Sequence, residues 1–325
     1  MTAWGSLQHL AELLACPRCH GDLRLTEDGL RCTSCDQTFP IVDGIPIFLD
    51  DLDAASHDEL DHGREPDGHH AADTAHKHRQ AEHFDLMAAE EFEIERPRGA
   101  PRLYGWLLAE KFRRSVAPIG PQLAGATVLT VCGGSGMDAE FLADRGASVI
   151  SSDISIGASR RARERARKHA VNMVPIVADV ERLPFRDGSI DLVFVHDGLH
   201  HLEQPETGLR EMTRVARRWI AVTEPARARL TSVAILLGLA QTAEESGNRV
   251  MRLEPRDVLG ILQPLGFERL AAGRYAMYYR HQPGVVFRLL SRPGLFQLAT
   301  AGWRLANAIL GRFGNKMVVV GERRP

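Results

Sequence analysis

The sequence lacks the features of a membrane-spanning or exported chain. A helix needs about 20 consecutive apolar residues to cross a bilayer, and apolar runs such as SVAILLGLA, at 232–240, are far shorter. No basic segment followed by an apolar core opens the chain, so no secretory signal is predicted. These absences predict a cytoplasmic protein.

Acidic side chains are missing from a long C-terminal stretch. Between Arg269 and Gly321 there is no Asp or Glu, whereas eight side chains are Arg or Lys. Residues 1–100 have the opposite balance, with 21 acidic and 8 basic side chains. The basic C-terminal stretch forms a surface that either has no ligand or faces an anion. That anion would be a membrane, a phosphorylated substrate or a nucleic acid.

Large apolar residues are almost absent from residues 51–80, which contain six His and eight Asp or Glu. This composition is typical of a solvated linker. The linker divides the chain into a small domain at 1–50 and a larger one at 81–325, in keeping with a length that suggests about two domains. Apolar residues at helical spacing over 81–116 predict helices that open the larger domain, precede its alternating strands and helices, and cover its ligand.

Four of the five cysteines form two C-x2-C pairs separated by 12 residues. Two such turns can place four thiolates tetrahedrally around Zn²⁺, and a module this short needs the metal for stability. A disulfide pair or a redox motif is a poorer fit without a secretion signal. The predicted zinc ligands are Cys16, Cys19, Cys32 and Cys35.

Short apolar strands alternate with amphipathic helices from Ala126 onwards. This alternation predicts an α/β fold of the Rossmann-like, doubly wound type, with helices on both faces of a seven-stranded sheet. The last two strands, around 273–279 and 316–323, would form an antiparallel edge. Two insertions, 226–252 and 282–316, are long for connections in a compact domain.

The first strand of this domain runs into a glycine-rich turn, in VLTVCGGSGMDAEFL at 128–142. Such a turn brings the backbone close to a ligand and directs helix N–H groups towards it. A dinucleotide and S-adenosylmethionine both suit it, so the turn alone does not decide between them. The predicted contacts in and beside it are Cys132, Gly133, Gly134, Ser135 and Gly136.

Polar residues follow the next three strands. Asp153 and Ile154 end the second, where the carboxylate can accept hydrogen bonds from ribose hydroxyls. Asp179 and Val180 end the third, where they can meet an adenine amino group and ring. The fourth strand opens into a polar cluster comprising His196, Asp197, His200 and His201.

At these residues the chain resembles the class I S-adenosylmethionine-dependent methyltransferases, particularly those acting on small molecules and lipids. SSDIS, VADVERLPFRDGSIDLVFVHDGLHHL and EMTRVARR follow the glycine turn in that family's order. The resemblance implies that Gly134, Gly136, Asp153, Asp179 and Val180 contact the cofactor, with His196 beside it. Two residues depart from the family pattern. Thr130 stands where an acid is usual and Cys132 where the first glycine is usual, so Asp138 or Glu140 would have to receive the cofactor's amino group.

Residues 11–49 resemble the small zinc-ribbon protein that activates certain tRNA and translation-factor methyltransferases. The matching stretches are LLACPRC, LRCTSC and FPIVDGIPIFL. A ribbon ahead of a methyltransferase domain also resembles a group of rRNA guanine methyltransferases.

Methyl transfer from a sulfonium depends mainly on alignment and on exclusion of water. A base is needed only when the acceptor is a hydroxyl or an acidic carbon, and histidine suits that task near neutral pH. His196 and His201 are the leading candidates, with Asp197 beside them. His200, His201 and Asp197 could instead serve only to order the loop. Glu224, after the fifth strand, is a further candidate.

Two basic segments remain open to interpretation. The helix RRARERARK, at 160–168, is either the solvated face of a sheet-covering helix or a phosphate-binding patch. The insertion at 282–316 mixes Leu, Phe and Trp with Arg and no acid, which is typical of contact with an anionic membrane. The favoured interpretation of this insertion, and of the one at 226–252, is a helical lid over the active site, because insertions at this end of the sheet commonly build substrate pockets. A lid and a membrane contact can coexist if the methyl acceptor is linked to lipid.

The leading hypothesis is methyl transfer to a small, biosynthetic or lipid-linked metabolite. An RNA methyltransferase is the second hypothesis, but His-Asp-Gly-Leu replaces the Asn/Asp-Pro-Pro-aromatic run typical of amino-methylating nucleic-acid enzymes, so a nucleic-acid partner is disfavoured. A non-catalytic module with a degenerate glycine turn is the third.

Overall fold

The computed structural model describes residues 7–49, 68–86, 90–227, 252–278 and 282–324. Its N-terminal part consists of a short helix, α1 (Leu7–Leu13), and a three-stranded antiparallel sheet in the order β1-β2-β3. The strands are β1 (Leu23–Thr26), β2 (Gly29–Cys32) and β3 (Thr38–Phe39). Two loops of this small module carry the paired cysteines.

A nine-stranded sheet organises the rest of the chain, in the order β11-β12-β10-β9-β6-β7-β8-β5-β4. Strand β6 pairs in parallel with β7 on one side and with β9 on the other, so strand order reverses at β6. The strands are β4 (Ile41–Val42), β5 (Ile45–Phe48), β6 (Thr127–Val131), β7 (Ser148–Asp153), β8 (Met173–Ala178), β9 (Ile190–His196), β10 (Ala216–Pro225), β11 (Phe267–Tyr275) and β12 (Lys316–Arg323).

Both faces of the central strands are buried. Leu192 and Val193 are neighbours in β9 and point to opposite faces, yet both are completely inaccessible to solvent. Two apolar clusters result, one on each side of the sheet, as expected for parallel strands between helical layers. The helices are α2 (Gly68–Asp85), α3 (Glu90–Glu95), α4 (Arg102–Val116), α5 (Met137–Ala143), α6 (Ile156–His169), α7 (Pro205–Val215), α8 (Pro255–Leu262), α9 (Val285–Leu290) and α10 (Leu295–Leu310).

The α/β prediction is confirmed, including the antiparallel edge, because β12 runs antiparallel to both β10 and β11. The sheet has nine strands rather than seven because the apolar tail of the small module joins it. Strand β5 pairs in parallel with β8, with Ile47 opposite Val177 and Phe48 opposite Ala178. Phe48 is 3% exposed, so burying this tail favours its docking against the sheet.

The predicted linker differs from the structure over its second half. Residues 68–80 belong to α2, whereas residues 50–67 lie outside the described part of the chain. Composition alone misses this helix because polar contacts at its C-terminal end hold it on the larger domain. Asp85 accepts hydrogen bonds from Ser155 Oγ at 2.6 Å and from Gly157 N at 2.7 Å. The proposed division between domains stays a prediction.

The C-terminal insertion packs on α4. Tyr104 lies edge-on to Phe287, with ring centroids 6.2 Å apart, and Trp106 lies edge-on to Trp303 at 5.3 Å. The outer face of α10 is exposed and apolar, since Leu298 is 70% exposed and Leu305 62%. The insertion predicted at 226–252 lies outside the described residues except at its two ends. No helix among the described residues is long and apolar enough to span a bilayer.

Candidate functional site

A cavity of about 440 Å³ opens at the carboxyl ends of the parallel strands. This is the edge at which α/β sheets bind ligands, close to the reversal of strand order. Residues 132–135 of the glycine turn, Asp153 with Ile154, Asp179 with Val180, and the polar residues after β9 all line it. The structure thus brings most of the residues predicted from sequence to one cavity, whereas Gly136, Glu140 and Glu224 do not line it.

The glycine turn is held directly by the predicted ribose acid. Asp153 Oδ2 accepts a hydrogen bond from Gly134 N at 2.8 Å, and its Oδ1 accepts one from Ser155 N at 2.9 Å. Burial raises the pKa of Asp153, although these two N–H groups oppose the rise. The left-handed φ angles of Gly134 and Gly136, 53° and 75°, explain why glycine is suited to both positions.

Cys132 adopts a left-handed φ of 52°, which glycine accommodates more easily. Space for its side chain comes from Gly198, where a Cβ atom would lie only 2.3 Å from Cys132 Cβ and 2.9 Å from its Sγ. Burial raises the pKa of the Cys132 thiol well above its ordinary value, and nearby acids add to the rise. A neutral thiol is a poor nucleophile, so a structural role fits this cysteine.

The acid missing at position 130 has one candidate replacement in the cavity. Thr130 is buried and donates to Ser151 Oγ at 3.3 Å. Glu140 is bound by Arg165 Nη1 at 2.6 Å and by Arg98, whereas Asp138 lines the cavity. Burial raises the pKa of Asp138 to about 7. Of the two alternatives considered from sequence, Asp138 therefore fits the role and Glu140 does not.

Asp179 already has a cationic partner. Lys77 Nζ lies 2.8 Å from Asp179 Oδ2 and also forms an ion pair with Glu181. The other oxygen of Asp179 accepts a hydrogen bond from Glu181 N at 2.9 Å. Helix α2 thus crosses the region expected for adenine. Sequence reasoning missed Lys77 because it lies in the segment assigned to the linker.

The arginine-rich helix α6 is only partly a solvated surface. Arg161 and Arg165 are 4% and 0% exposed. Arg161 donates to Ser135 Oγ at 3.2 Å and Arg165 donates to the Ser135 carbonyl at 2.8 Å. Both side chains therefore hold the glycine turn in place. On the outer side, Arg160 Nε donates to Asp43 at 3.0 Å. These arginines are engaged within the protein, which weakens the interpretation of α6 as a phosphate patch.

Two lysines converge on the carboxylate that follows β9. Asp197 Oδ2 accepts a hydrogen bond from Lys316 Nζ at 2.7 Å and another from Lys111, whose side chain is fully buried. Burial opposes ionisation of Asp197, but the charges of the two lysines outweigh it and hold its pKa well below the usual range. Asp197 is therefore a carboxylate that positions cations rather than a proton acceptor.

His196 is neutral at physiological pH. Burial, followed by the charge of Lys111, lowers its pKa well below the ordinary value. Its side chain is 10% exposed, and Nε2 has no hydrogen-bond partner among the residues that the structure describes. Asp197 Oδ2 is 3.9 Å from that nitrogen, which is too far for a hydrogen bond. His196 thus presents a free polar atom beside the cavity.

Two other residues, Glu224 near the end of β10 and His200 after β9, hold the loop after β9 in place, whereas His201 packs against α2. Glu224 is fully buried, and its Oε1 accepts hydrogen bonds from Gly198 N and Leu199 N, both at 2.8 Å. Its Oε2 lies 2.7 Å from His200 Nδ1, so this pair orders the loop after β9. His201 lies against Phe84 of α2, with ring centroids 5.5 Å apart.

The two lysines could have been found from the sequence. Lys111 falls in the apolar stripe of α4, one turn from Leu107 and Leu108, where an unpaired charge would be costly. Lys316 begins β12 opposite Pro225. Since β12 is antiparallel, its first residue lies at the carboxyl ends of the parallel strands. Among the described residues of the insertion predicted at 282–316, Lys316 alone lines the cavity. Helices α9 and α10 contribute no residue to its lining, and the predicted lid stays a prediction.

The four paired cysteines meet in the N-terminal module. Their sulfur atoms all lie within 4.8 Å of one another, and none forms a disulfide. Cys16 Sγ is 3.7 Å from Cys35 Sγ, and Cys19 Sγ is 3.4 Å from Cys32 Sγ. A Cβ atom at Gly21 would lie 2.4 Å from Ser34 Oγ, so the loops pack too closely for a side chain there. Four convergent sulfurs fit tetrahedral zinc.

Comparison with known families agrees with both resemblances. Residues 129–218 match the family model described as a methyltransferase domain, and residues 8–44 match the Trm112p-like protein family. The chain therefore carries a methyltransferase domain and a Trm112p-like zinc-ribbon domain, as the motifs predicted.

Curated relatives are similar over a limited segment. The demethylmenaquinone methyltransferase of Beutenbergia cavernae is 38% identical over 93 residues, which are 29% of this chain and 37% of the relative. That of Renibacterium salmoninarum is 33% identical over 107 residues, covering 33% of this chain and 44% of the relative. The match thus spans less than half of either relative.

Solved structures support the fold. The magnesium protoporphyrin IX methyltransferase from Synechocystis PCC 6803, solved with bound SAH, superposes with a TM-score of 0.54 at 18% identity, covering 76% of this chain and 100% of that one. The cyclase SpnF gives a TM-score of 0.52 at 16% identity, covering 76% and 96%. Because a cyclase shares the fold, function has to be argued from the site.

Proposed function

We propose that the protein transfers a methyl group from S-adenosylmethionine to a small-molecule acceptor, and that the acceptor is a biosynthetic or lipid-linked metabolite. The observation that carries this proposal is the contact between Asp153 and Gly134 at the cavity's edge. It fixes the glycine turn beside a carboxylate suited to ribose hydroxyls. The methyltransferase-domain match over the same strands supports it.

The cofactor would lie across the ends of β6, β7 and β8. N–H groups of the glycine turn would meet its carboxylate, Asp138 its ammonium group, Asp153 its ribose, and Asp179 with Val180 its adenine. Lys77 would have to share Asp179 with the adenine or move aside. When bound, the cofactor supplies an electrophilic methyl group with a good leaving group.

The protein's own contribution is positioning and exclusion of water. Residues of helix α2 line the cavity, and Phe84 packs edge-on against His201, which also lines it. His196 presents its free Nε2 to the methyl acceptor, and a neutral imidazole nitrogen can donate or accept a hydrogen bond there. His201 remains the other proposed proton acceptor. Alignment of reactants in a dry site accounts for a large share of the rate in such reactions.

The exposed face of α10 favours an acceptor that is linked to lipid. Leu298, Leu305 and Ile309 are each more than 60% exposed, and no acidic residue lies nearby in the sequence. Apolar anchors beside arginines suit an anionic membrane surface. The Trm112p-like match is the feature that would suit an RNA substrate. The arginines of α6 do not add to it, since they are bound within the protein.

Calorimetry with S-adenosylmethionine tests the proposal. The wild-type protein should bind the cofactor, and Asp153→Ala should weaken binding at least ten-fold because it removes the predicted ribose contact and releases the glycine turn. Arg269→Ala, an exposed change on β11, is the matched control. Absence of binding by the wild-type protein at millimolar cofactor would leave only the non-catalytic alternative.

A further inference from the structure

Lys111 and Lys316 share one carboxylate oxygen at the inner end of the cavity. Both ammonium groups contact Asp197 Oδ2, and Lys316 does so at 2.7 Å. Lys111 lies in α4 and Lys316 in β12, so two segments far apart in sequence each place an ammonium group beside this carboxylate. Asp197 adopts a left-handed φ of 51°, which is uncommon for a residue other than glycine.

Neutralising Asp197 requires only one of these lysines. A buried carboxylate needs a cationic partner, and the fully buried Lys111 provides one. Lys316 brings a second positive charge to a group with a single negative charge. Its side chain is 13% exposed and lines the cavity, so it is the lysine that an incoming molecule meets.

His196 gives an independent sign that a ligand belongs here. Its side chain is nine-tenths buried, and Nε2 finds no hydrogen-bond partner in the described part of the chain. Buried polar atoms in native proteins are nearly always paired, so an exception at a cavity points to a missing partner. A neutral imidazole can donate to an anion or accept from a hydroxyl.

We propose that Lys316 and His196 form an acceptor subsite that binds an anionic oxygen group, so the acceptor carries a carboxylate or a phosphate. The inference rests on the proposed function only in calling the ligand the methyl acceptor. A cation in a partly dehydrated cavity selects strongly between an anion and a neutral isostere. Lys316 is thus a specificity residue and Lys111 positions Asp197.

Other charged groups near this end are already paired. Arg96 Nη2 lies 2.9 Å from Glu93 Oε2, and Glu224 is occupied by two backbone N–H groups and His200. Arg96 is the cation that balances Glu93, whereas Asp197 has Lys111 as well as Lys316. Lys316 is therefore the cation suited to exchange a protein carboxylate for a ligand. Lys77, at the opposite end of the cavity, contacts Asp179 and Glu181.

Three small probes test the subsite on the intact protein loaded with S-adenosylhomocysteine. Benzoate and phenyl phosphate carry the two anions, and benzamide is the neutral isostere of benzoate. At least one anion should bind ten-fold or more tightly than benzamide by calorimetry, and the tighter one identifies the acceptor's anion. Equal binding of benzamide, or no binding of either anion at 20 mM (roughly the weakest affinity such a contact allows), would overturn the proposal.

Substitutions of Lys316 test whether this side chain binds the anion. Lys316→Met should lose at least ten-fold in anion affinity, while Lys316→Arg should keep most of it. Lys168→Met, which removes an exposed lysine from α6, is the matched control. Anion binding that survives in Lys316→Met would refute the assignment. Retained binding of S-adenosylhomocysteine shows that each variant is folded, and loss of cofactor binding by the wild-type protein would instead refute the proposed function.

Discussion

Cys132 and Gly198 fit each other at the centre of the site. The cysteine side chain occupies the space that a Cβ atom at position 198 would need, since the two Cβ atoms would be 2.3 Å apart. The unusual residue in the glycine turn is therefore compensated by a glycine in the loop after β9. This relation explains how a left-handed cysteine is tolerated where a glycine is expected.

Gly198→Ala should consequently destabilise the protein by about 1–3 kcal/mol, the usual cost of overpacking a buried site. Cys132→Gly should cost little, because it also relieves the left-handed backbone. The double variant should recover much of the loss, although Val195 Cγ2 at 3.3 Å limits the recovery. Urea unfolding of all four proteins measures the coupling. Additive effects of the two changes would contradict the fit.

Asp138 should make cofactor binding depend on pH. Its pKa of about 7 lies above the ordinary value for aspartate, so the folded protein holds a proton there that the unfolded chain releases at lower pH. The folded state is therefore stabilised by protonation, and this contribution is lost as pH rises from about 4 to about 7. Pairing with the cofactor's ammonium group needs the carboxylate, so affinity should increase between pH 6 and pH 8.

Asp138→Asn should weaken binding of S-adenosylmethionine several-fold at pH 8 and flatten its pH dependence. Calorimetry at pH 6, 7 and 8 measures both effects. Asp144→Asn is the matched control, because Asp144 is an exposed aspartate at the C-terminal end of the same helix. An unchanged pH profile in Asp138→Asn would show that another group receives the ammonium.

The N-terminal module should contain one zinc ion per chain, as measured by elemental analysis of the purified protein. Replacing the buried ligand Cys16 or Cys32 with serine should abolish metal binding and unfold the module, because its small core depends on the metal. Cys132→Ser changes the remaining cysteine and should leave the zinc content unchanged. A folded, zinc-free wild-type protein would contradict this prediction.

Vesicle flotation tests the exposed face of α10. The protein should float with vesicles containing anionic lipid at low salt, and binding should weaken as salt screens the arginines. Leu298→Glu with Leu305→Glu should abolish flotation. Leu25→Glu is the matched control, because Leu25 is an equally apolar residue, 53% exposed, on β1 of the small module. No binding at low salt, or full binding by the α10 variant, would argue against membrane contact.

Periodicity and motif spacing were sufficient to predict seven strands of the sheet, its antiparallel edge and the cavity residues that follow β6, β7, β8 and β9. They did not predict residues 68–80 of α2 as helix, because the placement of this helix depends on long-range contacts of Lys77 and Asp85 rather than on an apolar stripe. The joining of β5 to β8 was also missed, since strand pairing across 130 residues leaves no local pattern. Lysines that act together from α4 and β12 become neighbours only through the fold.

The pairing of β5 with β8 joins the cysteine-containing N-terminal module to the sheet that carries the cavity. Strand β8 leads directly into Asp179, which lines the cavity. The module that is expected to need zinc for folding therefore also supports, through β5, the strand that positions Asp179. Loss of the metal would then displace residues at the end of the site proposed for adenine, although the ion and the cofactor would not touch.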